Sequence, residues 1–164
     1  MTRLRLYTDA DLALPEAMET DPVVMAELGG PVPREDIPAL HRRRLDGVAT
    51  DPWWFVVATD DGESAGTIGI WETQHDGSVI HETGWMLLAA FHGRGLGSAA
   101  LGLLLERARA EPRFEQLHAF PGVSNPASNA LCRKFGFELL GEEDGSYRDA
   151  TLRVNHWVLT LRSD

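Results

Sequence analysis

Gly93, Gly95 and Gly97 put three glycines in five positions, between the apolar run Trp85 to Ala90 and a stretch of helical periodicity. Leu101, Leu104, Leu105 and Ala108 recur on one helical face, and Pro112 stops the pattern just beyond Ala110. The apolar run reads as the end of a buried strand. The order is therefore strand, glycine loop, helix. Glycines let the backbone enter conformations closed to other residues and clear side chains from the loop. Loop amides and the unpaired N–H groups of the first helical turn can then converge on an anion, and the helix dipole favours negative charge there. Arg94 adds a guanidinium suited to phosphate oxygens. The loop His92-Gly93-Arg94-Gly95-Leu96-Gly97-Ser98 is predicted to hold a pyrophosphate.

Several designs compete for such a loop. A P-loop requires Gly-Lys-Ser/Thr at its end, and no lysine stands near. The dinucleotide fingerprint is closer, since Gly95-Leu96-Gly97-Ser98-Ala99-Ala100 fits its looser form. That fold also needs an acidic residue at the end of the next strand, whereas Glu115 stands near the start of the predicted strand Phe114 to Phe120. Only one βαβ unit is readable, and the dinucleotide fold has two halves. A glycine loop that merely turns the chain is the remaining reading.

The run His92-Gly93-Arg94-Gly95-Leu96-Gly97 resembles the acetyl-CoA loop of the GNAT superfamily of N-acetyltransferases, Gln/Arg-x-x-Gly-x-Gly/Ala, with histidine in the first slot. Downstream, Asn125-Pro126-Ala127-Ser128-Asn129-Ala130-Leu131-Cys132-Arg133-Lys134-Phe135-Gly136-Phe137 is similar to that family's Asn-x-x-Ser/Ala helix ending in Gly-Phe. The two elements stand in the family's order with one strand between them. The resemblance covers residues 79 to 140 and extends plausibly over the chain. It implies an α/β (α+β) fold with a mixed, mostly antiparallel sheet of about seven strands flanked by helices. Acetyl-CoA is the implied cosubstrate.

At 164 residues the chain is the size of one domain, and residues 1–164 are expected to form a single acetyltransferase domain. Met1 to Tyr7 is short and basic, Asp9 and Asp11 interrupt any apolar region, and no apolar run approaches membrane-spanning length. The single cysteine excludes an intrachain disulfide framework and suits a reducing, cytoplasmic setting. No Cys/His cluster at ligand spacing predicts a metal. A net charge of −10 argues against nucleic-acid binding and is compatible with a cationic substrate such as an amine. A homodimer is allowed for.

Read in order, Leu4 to Tyr7 is a strand, and Thr8 to Asp11 has the form of a capping box with Asp in the usual place of Glu. Helical stretches follow over Leu12 to Met18, Asp21 to Leu28 and Arg34 to Gly47, with Arg42-Arg43-Arg44 toward solvent. Trp53 to Thr59, Ser64 to Glu72 and Val79 to Leu88 should form an antiparallel meander, with turns at Asp60-Asp61-Gly62 and His75-Asp76-Gly77. After the glycine loop and its helix, Phe114 to Phe120 must run parallel to its predecessor. Gly136 caps the Asn125 helix, Phe137 to Leu140 is a strand, Glu142 to Gly145 an exposed loop, and Thr151 to Leu161 the last strand.

Acetyl transfer to an amine needs the amine deprotonated, the carbonyl polarised and both reactants held. Glu82 stands ten residues before His92 within Glu82-Thr83-Gly84-Trp85, which resembles the family's Glu-x-Gly-Tyr/Trp, so Glu82 is the expected base. Alternation puts His81 on the opposite face. Glu72, His81 and unassisted attack are the other courses. The resemblance puts a tyrosine acid where Cys132 stands here; Ser128, one helical turn earlier on the same face, is the alternative donor. Asn125 is expected to cap its helix, and the resemblance implies that it also contacts the pantetheine arm or an adjacent water. Backbone groups of Met86, Leu87 and Leu88 should pair with the pantetheine amides as an added strand would. Trp53, Trp54 and Trp71 are expected on the face opposite the cofactor. The acceptor is a primary amine, on a small molecule or a protein N-terminus, with a lean toward the branch that acetylates ribosomal-protein N-termini. The rival from another class is a non-catalytic acyl-CoA binding module.

Overall fold

The computed structural model of the protein describes residues 1–162. The elements are β1 (Arg3–Leu6), α1 (Ala13–Glu19), α2 (Ile37–Thr50), β2 (Trp54–Ala58), β3 (Ser64–His75), β4 (Ser78–Leu87), α3 (Leu96–Arg109), β5 (Gln116–Ala119), α4 (Pro126–Lys134), β6 (Glu138–Tyr147) and β7 (Ala150–Thr160). The seven strands form one sheet in the order β1-β2-β3-β4-β5-β7-β6. Every neighbouring pair is antiparallel except β4 and β5. The exception follows from connectivity: α3 lies between those two strands, and a helical crossover returns the chain in the same direction. The mixed, mostly antiparallel sheet is the one expected.

The hairpin between β3 and β4 turns on Asp76 and Gly77, at φ +48° and +79°, the positive pair that matches the twist of its strands. Alternation along the strands makes two unlike faces. One face carries Phe55, Val57, Ile68, Ile70, Leu117 and Leu159 beneath Leu101, Leu104 and Leu105 of α3. Cys132 of α4 is part of this main core. The other face carries Val56 and Trp54 beneath Tyr7, Leu14 and Met18, with Leu45 and Val48 of α2 packed alongside. Trp53 turns to the first face, edge-on to Phe114 at 4.8 Å, so the three tryptophans expected on one face divide, with Trp54 and Trp71 together on the second.

Three expectations about local structure are corrected. Asp21 to Leu28 is a succession of turns: the Asp21 carboxylate accepts the Val23 N–H at 2.8 Å, and Gly29 and Gly30 take φ +86° and +93°. That side-chain bond offers the backbone an alternative to helix. Glu142 to Gly145 belongs to β6, paired with Asn155 to Leu152 of β7. The charges that read as a loop are answered across the ladder, where Arg153 reaches Glu142 at 3.4 Å and Asp144 at 3.2 Å. Arg44 turns inward and forks onto Glu19, which has no exposed surface, while Arg42 and Arg43 stay exposed. The expected box at Thr8 does form, with the Asp11 carboxylate accepting the Thr8 N–H at 2.8 Å.

Candidate active site

The glycine loop enters α3 as its residue types require. Gly93 and Gly95 sit at φ +71° and +78°, and Gly95 is the residue immediately preceding the helix. A Cβ at either would meet nothing within 4 Å, so what glycine supplies there is backbone freedom. Gly97 differs: a Cβ would come within 3.2 Å of Leu131 on α4, so its glycine lets the two helices approach. The first turn of α3 contains no acidic residue and no side-chain cap. Its N–H groups are left for an anion. Lys134 on α4 brings an ammonium to this end, 2.5 Å from Ser98 Oγ. Sequence reading missed Lys134, because only the packing of α4 on α3 carries it there. Arg94 is exposed, with its guanidinium 5.0 Å over the Phe91 ring.

Beside the loop, β4 and β5 run side by side but pair only briefly. Among the described residues, Glu82 and His118 are their only registered pair. Beyond Glu82, β4 continues to Leu87 against β3 on one side, so its other edge is open where an extended ligand could add as a strand. The three backbone positions expected to use this edge are not equivalent. Leu88 N–H is bonded to Ala65 O at 2.8 Å, which commits it to the β3 side and corrects the expectation for that residue. Alternation then turns the groups of Leu87 toward the open edge and those of Met86 toward β3, which corrects the expectation for Met86 as well. Leu87 O accepts from His92 Nε2 at 2.9 Å. His92 therefore braces the end of β4 against the loop.

Glu82 stands at the point where the strands part. It pairs with Trp71 of β3, while His81 pairs with Glu72 on the opposite face, as alternation required. His81 Nε2 approaches Glu72 at 3.6 Å, and its ring lies edge-on to Phe114 of the main core. Burial pushes the Glu82 carboxyl up to about 7, against the opposing pull of the Trp71 indole and of His75. The Glu-x-Gly spacing contributes to that burial. A Cβ at Gly84 would stand 2.8 Å from Trp71 Cη2, so glycine there lets the indole lie over β4 next to Glu82. Trp71 also leans on Trp54 at 5.5 Å, the rings tilted by 55°, and lines a pocket of about 790 Å³ with Arg44, Asp46, Val48 and Glu72. The pocket lies between α2 and the sheet and reaches the strand that faces Glu82.

α4 faces the cleft from the other side of the sheet. The Asn125 side chain accepts the Ser128 N–H at 3.2 Å, the helix cap expected of it. Trp85 Nε1 donates to Ser128 Oγ at 3.1 Å. Since Trp85 is three residues from Glu82 on one strand, Ser128 and Glu82 lie on opposite faces of the sheet at the same gap. Cys132 sits inside the core with no exposed surface, and burial pushes its thiol up to about 12. Asn129 was not anticipated. Its side chain donates to Gly122 O and Asn125 O and accepts from Asn155 Nδ2 and Trp157 Nε1, all within 2.9 Å. It ties α4 to β7 and fixes the approach to Asn125.

A strand-loop-helix with an anion-ready N-terminus thus stands beside a parted parallel strand pair. Residues 2–138 match the acetyltransferase (GNAT) domain family, and the chain belongs to it. Among solved structures, a GNAT-family acetyltransferase from Bacillus anthracis superposes with a TM-score of 0.79 at 16% identity, covering 98% of this chain and 95% of that one. A ribosomal-protein-alanine N-acetyltransferase from Brucella melitensis gives 0.75 at 26% identity, covering 96% and 99%. A phosphinothricin acetyltransferase from Sinorhizobium meliloti in complex with acetyl-CoA gives 0.73 at 24% identity, covering 97% and 88%. No curated protein matches the chain. Among the described residues no helix is long and apolar enough to cross a membrane.

Proposed function

We propose that the protein transfers an acetyl group from acetyl-CoA to a primary amine by direct attack within a ternary complex. The observation that carries this reading is the gap between β4 and β5, with the glycine loop at one end and the Glu82 carboxyl at the other. Amides of Gly95 to Ser98, with Arg94 and Lys134, hold the pyrophosphate. The pantetheine arm adds to the open edge of β4 along Leu87, and Asn125 stands at the far bank. The thioester thereby arrives between Glu82 on one face and Ser128 on the other.

The amine enters from the pocket over Trp54 and Trp71, and Glu82 takes its proton directly or through a water. A carboxyl poised near 7 is matched to this work at neutral pH. Attack forms the C–N bond and collapse breaks the C–S bond. Ser128 already accepts a bond from Trp85, so its own O–H proton is left to point at the departing sulfur. Cys132, walled into the core, contributes packing and no proton. The acceptor is an amine on a small molecule or a protein N-terminus; the Brucella melitensis relative, at 26% identity over 96% of this chain, supports the latter by its name.

The test is release of free CoA from acetyl-CoA on addition of a panel of small amines and N-terminal peptides. Amine-dependent release, lost together with CoA binding in a folded Gly95→Val variant, supports the reading. A protein that binds CoA and releases none with any amine is the acyl-CoA binding module instead.

A further inference from the structure

On the Glu82 face, the tip of the β3–β4 hairpin meets the β6–β7 hairpin and gathers three side chains far apart in the chain. His75 Nε2 lies 2.6 Å from one Glu143 oxygen, and His156 Nδ1 lies 3.4 Å from the other. The three donor atoms are all within 4.8 Å of one another. The geometry points to a divalent-cation site of the zinc type, liganded by His75 Nε2, a Glu143 oxygen and His156 Nδ1, with a fourth position for water or an outside ligand.

The donor set fits, and its spacing is within a small adjustment of what an ion needs. Two imidazoles and a carboxylate are a standard set for zinc, with bonds of about 2.0–2.2 Å, which puts tetrahedral donors roughly 3.3–3.5 Å apart. His156 Nδ1 stands at that distance from one Glu143 oxygen and His75 Nε2 at 2.6 Å from the other, and the three donor atoms, one per residue, lie within 4.8 Å of one another, so a small turn of the carboxylate would bring one oxygen to both rings. The His75–Glu143 pair is closer because a proton lies between them, and a cation taking that proton's place would open the pair by less than about 1 Å.

The outer partners are also in position. His156 Nε2 is 2.8 Å from His118 Nδ1, and His75 Nδ1 is 3.7 Å from Asp76 Oδ2. The His156 ring thus has a hydrogen-bond partner for its far nitrogen, which orients the ring and leaves the near lone pair for the metal, while the exposed Asp76 carboxylate only stands near the far nitrogen of His75. Phe120 stacks on His156 at 4.5 Å and walls the site on one side. None of these residues belongs to the glycine loop or its helix, so the site stands or falls apart from the acetyl-CoA reading. A bound cation would clip the two hairpins together beside the acceptor side of the cleft.

Chelator-treated full-length protein titrated with zinc by calorimetry should take up one equivalent saturably. Uptake should release close to one proton, seen as a dependence of the heat on buffer ionisation. Cobalt(II) in its place should give the intense visible bands of a four-coordinate site. His156→Ala and Glu143→Gln should each weaken uptake at least about 100-fold, and His118→Ala by about 10- to 100-fold without abolishing it. His75→Ala, on the hairpin tip, serves if a strand variant fails to fold. Failure of the wild type to take up zinc saturably overturns the proposal and leaves an ordinary charge-assisted hydrogen bond. Uptake that survives His75→Ala or His156→Ala unchanged also overturns it, by placing the metal elsewhere.

Discussion

Glu19 and Glu82 are both taken out of water, and the protein treats them in opposite ways. Glu19, at the end of α1, has no exposed surface, and the Arg44 guanidinium forks onto both its oxygens, one bond at 2.9 Å. The Trp54 ring lies 5.1 Å from that guanidinium and helps seal the pair. Glu82 is only half-buried, yet no arginine or lysine answers it among the described residues, and its carboxyl is pushed up to about 7. A buried carboxylate with a forked cation is a fixed charge that joins two helices. One without a partner can hold or release a proton near neutrality, which is what a base requires.

The comparison breaks most sharply if Glu82 carries no proton. Glu82→Gln keeps shape and hydrogen bonding but removes the acceptor. Turnover near neutral pH should fall by about 10²- to 10⁴-fold, roughly 3–5 kcal/mol in the barrier. Affinity for acetyl-CoA should stay within a few-fold. The deficit should shrink as pH rises, because more of the amine then arrives deprotonated. Steady-state rates against pH for both proteins decide it; a variant that turns over like wild type transfers the base to Glu72, His81 or solvent.

Glu19→Gln should produce the complementary result. It strands the Arg44 charge inside the protein, and breaking a buried pair in this way costs about 3–5 kcal/mol. For a domain of this size the melting temperature should drop by on the order of 10 °C. Activity per folded molecule should change far less than in Glu82→Gln, since Glu19 touches neither the loop nor the β4–β5 gap and reaches the acceptor pocket only through Arg44. Calorimetric unfolding alongside rates on the folded fraction separates the two. A large loss of turnover at unchanged stability would make Glu19 functional and the contrast false.

A third measurement reads the same contrast through stability and pH. The folded Glu82 carboxyl holds its proton up to about 7, whereas the unfolded chain loses it in the ordinary carboxylate range. Between those values the folded state binds more protons, so wild-type stability falls as pH rises and the full penalty stands above the folded value. Glu82→Gln escapes it. Its advantage over wild type should grow from near zero at about pH 4 to as much as about 3 kcal/mol at about pH 8. Denaturant unfolding of both proteins across that range tests the sign, and a constant difference would mean that Glu82 is as well solvated as any surface acid.

How much of this contrast the sequence shows depends on how local each cause is. The glycine loop, the Asn125 cap, the Asp76-Gly77 hairpin and the alternation of His81 and Glu82 are set by neighbours in the chain, and the structure has them all. The Glu19–Arg44 pair is invisible in sequence because it joins residues 25 apart, and Arg44 reads as one member of a solvated triple arginine. His75, Glu143 and His156 are separated by a helix pair and three strands, so no ligand spacing reveals them. The charges of Glu142 and Asp144 resemble a loop until Arg153 stands opposite them. Trp71 over Gly84 is of the same kind: the motif Glu-x-Gly is legible, but the indole that makes its glycine necessary comes from another strand.

The smallest effect belongs to His92, a polar contact with neither a buried charge nor a proton to move, and it gives the contrast its baseline. His92 is exposed and donates from Nε2 to Leu87 O at 2.9 Å. A glutamine amide can donate to the same carbonyl, so His92→Gln should leave acetyl-CoA affinity within a few-fold and turnover unchanged. His92→Ala removes the brace on the end of β4, and a neutral hydrogen bond of about 0.5–1.5 kcal/mol corresponds to a loss of roughly 2- to 12-fold in affinity. Both variants should follow the wild-type pH profile, since no titrating group of the reaction has been touched. Calorimetric CoA titrations and pH–rate curves of the pair test this. A large fall in turnover at unchanged affinity in the glutamine variant would show that the imidazole moves a proton, and the division between a bracing loop and a catalytic strand would have to be redrawn.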